Sequence, residues 1–314
     1  MYYIGIDLGG TNVAAGLADE TGKILGRASI PCPRGADAIA DAIAEASKLA
    51  AGDAAVALKD VKSVGFAVPG TFDPETGVVH RAVNLGLENV PLGPMVKDRL
   101  GLPVVMENDA NAAALGEYVA GAGRGSKSLL AITLGTGVGS GAVLDGKLYT
   151  GFNYAAFEAG HTVIRRGGRQ CNCGRKGCWE TYASATGLIR STREAMEANP
   201  ESSLWKVAPT LEAVNGKTAF DAADAGDQVA QEVLSEYFED LACGLINLIN
   251  IIQPQVVCVS GGIARQGEKL LGPVREIVDR EEHNRGGKDR VQIRIAQLGD
   301  DAGIVGAALV PLYR

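Results

Sequence analysis

Apolar and polar positions divide the chain into strands, hairpins and helices whose order occurs twice. Tyr2 to Asp7 is a β-rich run ending in Gly9-Gly10, and residues 13–17 and 23–30 continue it across the turn Asp19-Glu-Thr-Gly22, which predicts an antiparallel meander. Ile39, Ile43, Ala46 and Leu49 recur at helical spacing over residues 36–51, ahead of a buried-type strand at residues 61–68. A second start lies at residues 128–141, where Asp7-Leu-Gly9 falls on Thr133-Leu-Gly135 and Asp19 on Asp145 at one constant offset. Residues 64–70 and 256–262 also resemble each other, as apolar strands ending in Pro-Gly or Gly-Gly. Helices are expected over residues 108–122, 182–197 and 228–252. The last carries Val229, Val233, Tyr237, Leu241, Leu245, Leu248 and Ile252 on one face and is stopped by Pro254. The apolar stretch 303–312 reads as a helix returning to the first half. The expected division is a smaller N-terminal lobe of residues 1–115 with 300–314, and a larger C-terminal lobe of residues 116–299.

Length and composition sharpen this picture. A chain of 314 residues exceeds the usual single core, so two lobes around a cleft are expected, and a cleft is where small-molecule chemistry sits. The 46% apolar and 21% charged residues suit a soluble α/β protein. A formal charge of -7 argues against nucleic acid or an anionic membrane as partner. The most apolar run, residues 241–252, includes Asn247 and Asn250 and is far shorter than the roughly 20 residues of a membrane span. The N-terminus lacks the basic flank of a signal peptide and reads as a first strand. Three of six cysteines crowd into Cys171-Asn-Cys173-Gly-Arg-Lys-Gly-Cys178, while Cys32, Cys243 and Cys258 are scattered; this predicts a metal site with reduced thiols, in the cytoplasm.

Candidate chemistry falls at three places. Asp7-Leu-Gly9-Gly10-Thr11-Asn12 offers backbone amides, a hydroxyl and an acid at one turn, where glycines let a polyanion approach. An acid there repels phosphate unless Mg2+ lies between, so Asp7 is the candidate magnesium-side carboxylate. The second copy, Thr133 to Gly141, repeats amides and hydroxyls without the acid, as a turn facing phosphate does. At the junction after the apolar residues 103–106, Glu107-Asn108-Asp109-Ala110-Asn111 opens a helix. Asp109 there suits a base toward a substrate hydroxyl, and Asn108 and Asp109 both equally suit helix capping. His161 with Cys171, Cys173 and Cys178 makes the four-ligand set of structural zinc. Glu158 and Glu180 flank this set, and two carboxylates on a metal-fixed loop are natural acceptors for vicinal sugar hydroxyls.

The paired glycine hairpins resemble those of the superfamily of sugar kinases, actin and Hsp70-type ATPases. Glu158-Ala-Gly-His161 and Cys171-Asn-Cys-Gly-Arg-Lys-Gly-Cys-Trp-Glu180 resemble the two signatures of the ROK family of bacterial sugar kinases at every defining position. The resemblance extends from Asp7 to Gly262. It implies an α/β fold of two actin-like (ribonuclease H-like) lobes with a central cleft, and ATP-dependent transfer to the 6-hydroxyl of a hexose, glucose first. It implies Asp109 as base, and Asn84, Asn108, Glu158, His161 and Glu180 on the sugar. Phosphates would be met by Gly9, Gly10, Thr11, Gly135, Thr136 and Gly137, and the adenosine side by Gly261 and Gly262. ATP, Mg2+ and a structural Zn2+ are the implied cofactors, and a homodimer the implied assembly.

Three departures sit beside sugar-contacting positions: Phe157 where Gly is usual, Val83 where Pro is commoner, and Leu87 where Trp is frequent. They bear on which sugar, so kinases for N-acetylmannosamine, fructose or allose stand as alternatives. Some ROK relatives are sugar-sensing repressors with an N-terminal helix-turn-helix; a first strand at Tyr2 and an acidic chain speak against that reading. A zinc-stabilised binding protein without catalysis is the third reading.

Overall fold

A computed structural model describes residues 1–314. The first sheet is built from β1 (Tyr2–Leu8), β2 (Asn12–Asp19), β3 (Ile24–Pro31), β4 (Val61–Val68) and β8 (Val104–Asn108), in the order β3-β2-β1-β4-β8. The hairpin partners β1, β2 and β3 are antiparallel, whereas β4 and β8 run parallel to β1. The second sheet repeats the plan with β9 (Leu129–Leu134), β10 (Val138–Leu144), β11 (Lys147–Leu148), β12 (Val256–Ser260) and β13 (Gln292–Ile295), in the order β11-β10-β9-β12-β13. The duplication read from Asp7-Leu-Gly9 and Thr133-Leu-Gly135 thus reappears as one strand order used twice. A three-stranded sheet, β5 (Thr71–Asp73), β6 (Val78–Ala82) and β7 (Leu87–Val90), was not foreseen. Its strands are too short to show a period.

Helices follow in chain order as α1 (Ala36–Asp53), α2 (Leu92–Leu100), α3 (Asp109–Ala120), α4 (Glu180–Ala183), α5 (Ala185–Ala198), α6 (Leu204–Val207), α7 (Thr218–Asp224), α8 (Gln228–Ile252), α9 (Glu268–Glu281) and α10 (Asp301–Tyr313). The helix expected over residues 182–197 is interrupted at Ser184, whose hydroxyl accepts from the Gly187 N–H and caps α5. Helix α8 spans the predicted range and ends one residue before Gln253, which adopts the left-handed conformation. No helix is long and apolar enough to cross a membrane.

The chain separates into two compact units. The first comprises residues 1–131, 141–157 and 296–314, and the second residues 132–140 and 158–295. In the first, buried Ile4, Ile6, Val13, Leu17, Ile39, Ile43, Val64 and Phe66 join β1, β2 and β4 to α1. On the other face of that sheet lies α10, an unusually small-residue helix, pressed between the strands and α3. Any side chain at Gly5, Gly65 or Gly306 would overlap the carbonyl oxygens of Ile304, Ala307 or Ala112, so the close approach requires glycine at all three. In the second unit, α8 carries buried Leu241, Leu245 and Ile249, and Trp179 is fully buried against Gly244.

Candidate active site

In the first unit β1 carries Asp7 one residue before its end at Leu8 and turns through Gly9 to Thr11, closed by a Gly9 N–H to Asn12 carbonyl bond of 2.9 Å. A Cβ on Gly10 would stand 3.2 Å from the Asn84 carbonyl oxygen, so this turn and the residue expected on the sugar are neighbours. Burial, then the carboxylates of Asp109 and Asp300, hold Asp7 above the usual carboxylate range. Asp300 is a residue the sequence reading missed. It precedes α10, and its position is set by Glu117 of α3: one carboxylate oxygen of that buried side chain accepts from the Leu298 N–H at 2.7 Å, and both accept from the Gln297 N–H at 3.0 Å. Two adjacent acids opening an apolar helix, Asp300 and Asp301, were the available signal.

At the junction of β8 and α3 one of the two side chains suited to capping takes the cap. Asn108 is the cap, its side-chain oxygen accepting from Ala110 N at 2.9 Å and Asn111 N at 3.3 Å. Only its amide N–H groups remain for a ligand. Asp109 is the first helical residue, exposed to solvent, with one oxygen taken by the adjacent Ala110 N–H at 2.9 Å. The surrounding protein still desolvates it enough to raise its pKa, against the lowering hydrogen bonds. Before them stands Glu107, 1% exposed, held by Asn108 N at 2.9 Å, Asn111 Nδ2 at 3.1 Å and Arg314 Nη2 at 3.1 Å.

In the second unit the donor atoms of His161, Cys171, Cys173 and Cys178 all lie within 4.8 Å of one another. Cys173 and Cys178 sulfurs are 3.6 Å apart, and Cys171 Sγ is 3.7 Å from His161 Nδ1. A tetrahedron with zinc–sulfur and zinc–nitrogen arms has edges of about 3.6–3.8 Å, so the donor set fits zinc. Burial is the main cause that pushes the Cys171 thiol up to about 12, which a cation would reverse. The loop is braced from outside the site. Arg165 makes a two-point ion pair with Asp240 of α8 at 3.0 and 2.9 Å, and Trp179 Nε1 donates to the Asp240 carbonyl at 2.9 Å.

Glu180 joins this loop to the second glycine turn. Its Oε1 lies 3.0 Å from Cys171 Sγ and 3.5 Å from His161 Nδ1, while its Oε2 would meet a Cβ on Gly137 at 2.5 Å. The turn itself is closed by Gly135 N to the Gly137 carbonyl at 3.0 Å, and the Gly135 carbonyl accepts from Ala185 N at the start of α5. Gly261, at φ 92°, packs on Leu134, and Ser260 Oγ lies 2.8 Å from Thr133 Oγ1, so the turn at Gly261 borders the same strand end. A concavity of about 180 Å³ is lined by Thr136, Cys171, Asn172, Glu180, Thr186 and Arg190, among others. Glu158 is exposed one residue before the short turn Ala159–His161, and Ala159 N is anchored on Ser140 Oγ at 3.1 Å. Phe157, flagged from the sequence, has φ 60° and packs edge-on against Tyr149 at 5.6 Å between ring centroids.

Two sheets of one strand order, each opening on a glycine-tipped hairpin, are the α/β fold of the sugar kinase, Hsp70 and actin superfamily. The same fold is seen in a ROK glucokinase from Streptomyces griseus in complex with glucose and AMPPNP, 39% identical, covering 98% of both chains with a TM-score of 0.77. It is seen again in the ROK hexokinase from Thermus thermophilus, 33% identical, covering 99% of this chain and 97% of that one with a TM-score of 0.85. A glucokinase of Thermotoga maritima is 39% identical over 311 residues, 98% of this chain and 96% of its own. The chain belongs to the ROK family, whose sequence pattern matches residues 3–312.

Proposed function

We propose that the protein is an ATP-dependent glucokinase that phosphorylates the 6-hydroxyl of glucose. The observation that carries this reading is Glu180, a carboxylate of the zinc-type loop set against Gly137 of a phosphate-type turn. A sugar acceptor and a polyanion turn side by side are what phosphoryl transfer to a hexose needs. The glucokinase relatives and the glucose and AMPPNP held by the S. griseus enzyme support it.

Asp109 orients the 6-hydroxyl and takes its proton as the bond to phosphorus forms. Its exposed, desolvated carboxylate suits that task, and its raised pKa makes it a better proton acceptor than an ordinary Asp. Asn84, the Asn108 amide, Glu158, His161 and Glu180 hold the sugar hydroxyls. Gly9, Gly10, Thr11, Gly135, Thr136 and Gly137 give backbone N–H groups and hydroxyls to the phosphates, and Gly261 and Gly262 border the adenosine. Mg2+ on the Asp7 side would offset phosphate charge; zinc on His161, Cys171, Cys173 and Cys178 would keep the sugar loop in shape without entering the reaction. The enzyme is further proposed to work in the cytoplasm, as a homodimer, at the entry to glycolysis.

ADP release measured over a panel of hexoses and N-acetylhexosamines tests the reading. Glucose giving the highest kcat/KM is expected. If no sugar stimulates ADP release, the kinase assignment fails; if N-acetylmannosamine, fructose or allose exceeds glucose, the substrate assignment does.

A further inference from the structure

We infer that Arg314 is a positioning residue for Asp109, acting through the buried carboxylate of Glu107. The inference rests on Asp109 being the base.

Arg314 follows α10, and its guanidinium reaches back to the end of β8. One nitrogen, Nη2, donates both to the Met106 carbonyl and to Glu107 Oε2. The ring of Tyr154 covers the guanidinium with its centroid 5.4 Å away, and Tyr154 holds φ 58°, a conformation a bulky residue adopts only when its surroundings impose it. Arg314 is thus tied at three points although its side chain keeps 23% exposure. Glu107 has the opposite character. Its side chain is 2% exposed, and its other oxygen, Oε1, accepts from Asn108 N and Asn111 Nδ2. Around Asp109, Asn108 N and Asn111 Nδ2 are therefore held by this carboxylate, and Ala110 N and Asn111 N by the Asn108 cap.

A buried carboxylate is tolerated where a cation and hydrogen bonds compensate it, and losing the cation alone leaves it strongly disfavoured. Without Arg314, the Glu107 carboxylate has lost its counter-charge and turns toward water, which withdraws Oε1 from Asn108 N and Asn111 Nδ2, and the first turn of α3 shifts with Asp109 on it. Of the proposed sugar contacts only Asn108 lies on this turn, and Asn84, Glu158, His161, Glu180 and the nucleotide contacts lie elsewhere, so the effect falls mainly on the chemical step.

Arg314→Gln is expected to lower kcat roughly 10- to 100-fold, the cost of about 1 Å of misplacement at a reacting group. KM for ATP should stay within about twofold and KM for glucose should rise far less than kcat falls, the sign of an interaction that matters in the transition state. Arg314→Lys, which keeps the charge, should recover most of the loss. The double variant Glu107→Gln, Arg314→Gln should be more active than Arg314→Gln alone, because a neutral amide needs no counter-charge. An Arg314→Gln enzyme with unchanged kcat overturns the inference, as does a loss that the double variant deepens instead of relieving. Asp109→Asn, assayed alongside, separates the two assignments: full activity there refutes the base, whereas an inactive Asp109→Asn beside an unaffected Arg314→Gln refutes only the pair.

Discussion

Replacing Gly244 by alanine tests whether the metal-type loop owes its shape to α8. At an exposed helical position this change would add about 1 kcal/mol of stability, because alanine loses less backbone freedom. Here the new Cβ would stand 2.5 Å from Trp179 Nε1 and closer still to the ring carbons, at least 0.9 Å inside ordinary contact at 3.4 Å. Trp179 is fully buried, so the clash cannot be relieved toward solvent. Overpacking of this kind costs about 1–3 kcal/mol. Moving the indole also breaks its 2.9 Å bond to the Asp240 carbonyl, and a buried N–H left without a partner adds about 1–3 kcal/mol. The net is a destabilisation of about 3 kcal/mol, or a fall in melting temperature of roughly 5–10 °C. The assay is thermal unfolding followed by tryptophan emission in a Trp205→Phe background, since Trp179 is the other of only two tryptophans. A red-shifted native emission and a higher KM for glucose should accompany the loss, because Trp179 stands between Cys178, proposed as a zinc ligand, and Glu180, proposed on the sugar. A Gly244→Ala protein that melts at or above the wild-type temperature refutes the reasoning, since the sign itself depends on the clash.

Asp109→Asn should lower kcat by about 10²- to 10⁴-fold and raise the melting temperature at pH 7. The folded pKa of Asp109 lies above its ordinary 3.8, so its favourable contribution is present below that pH and lost as pH rises through the folded value; the variant's advantage should therefore disappear in melts below about pH 3.8. Cys173→Ser should lose bound zinc by metal analysis and raise KM for glucose, while chelation of the wild-type protein reproduces both effects. Glu117→Gln puts an amide against backbone N–H groups of residues 297 and 298 and should cost about 1.5–3 kcal/mol; faster hydrogen exchange at the Leu298 amide, with reduced kcat from the loosened Asp300 turn, is the expected readout.

What the sequence disclosed depended on how local the signal was. The strand at residues 61–68 and the helix at residues 228–252 match the structure end to end, because each is long, periodic and bounded by its own stop. That His161, Cys171, Cys173 and Cys178 come together was legible because three of them fall within eight residues, and their clustering needs little more than a tight loop. The duplication was legible as small residues around Asp7 and Thr133, although little else in the halves agrees. Other features were hidden for physical reasons. Strands β5 to β7 are too short for alternation, yet they border the turn that carries Asn84. The Glu107 and Arg314 pair is separated by 207 positions, and Glu117 reaches Gln297 across 180, so no spacing rule could join them. Which of residues 108 and 109 caps α3 needed atoms to resolve, since both side chains suit a cap.

The approach of α10 to Gly5 and Gly65 also governs when the first unit can mature. Helix α10 comes from residues 301–313, after the whole second unit in the chain, yet it covers one face of the first sheet and supports Asp7 and α3. A ribosome makes β1 to β4 long before it makes α10. Through that interval the glycine-lined face of β1 and β4 stands open, its contacts with α10 being among the most distant in sequence that the first unit forms. Folding of this unit is therefore slow for its size and exposed to misassembly during synthesis, whereas residues 158–295 are contiguous and can settle as they emerge. The unit that holds Glu158 and Glu180 is ready first, and the unit that holds Asp109 waits for residues 301–313.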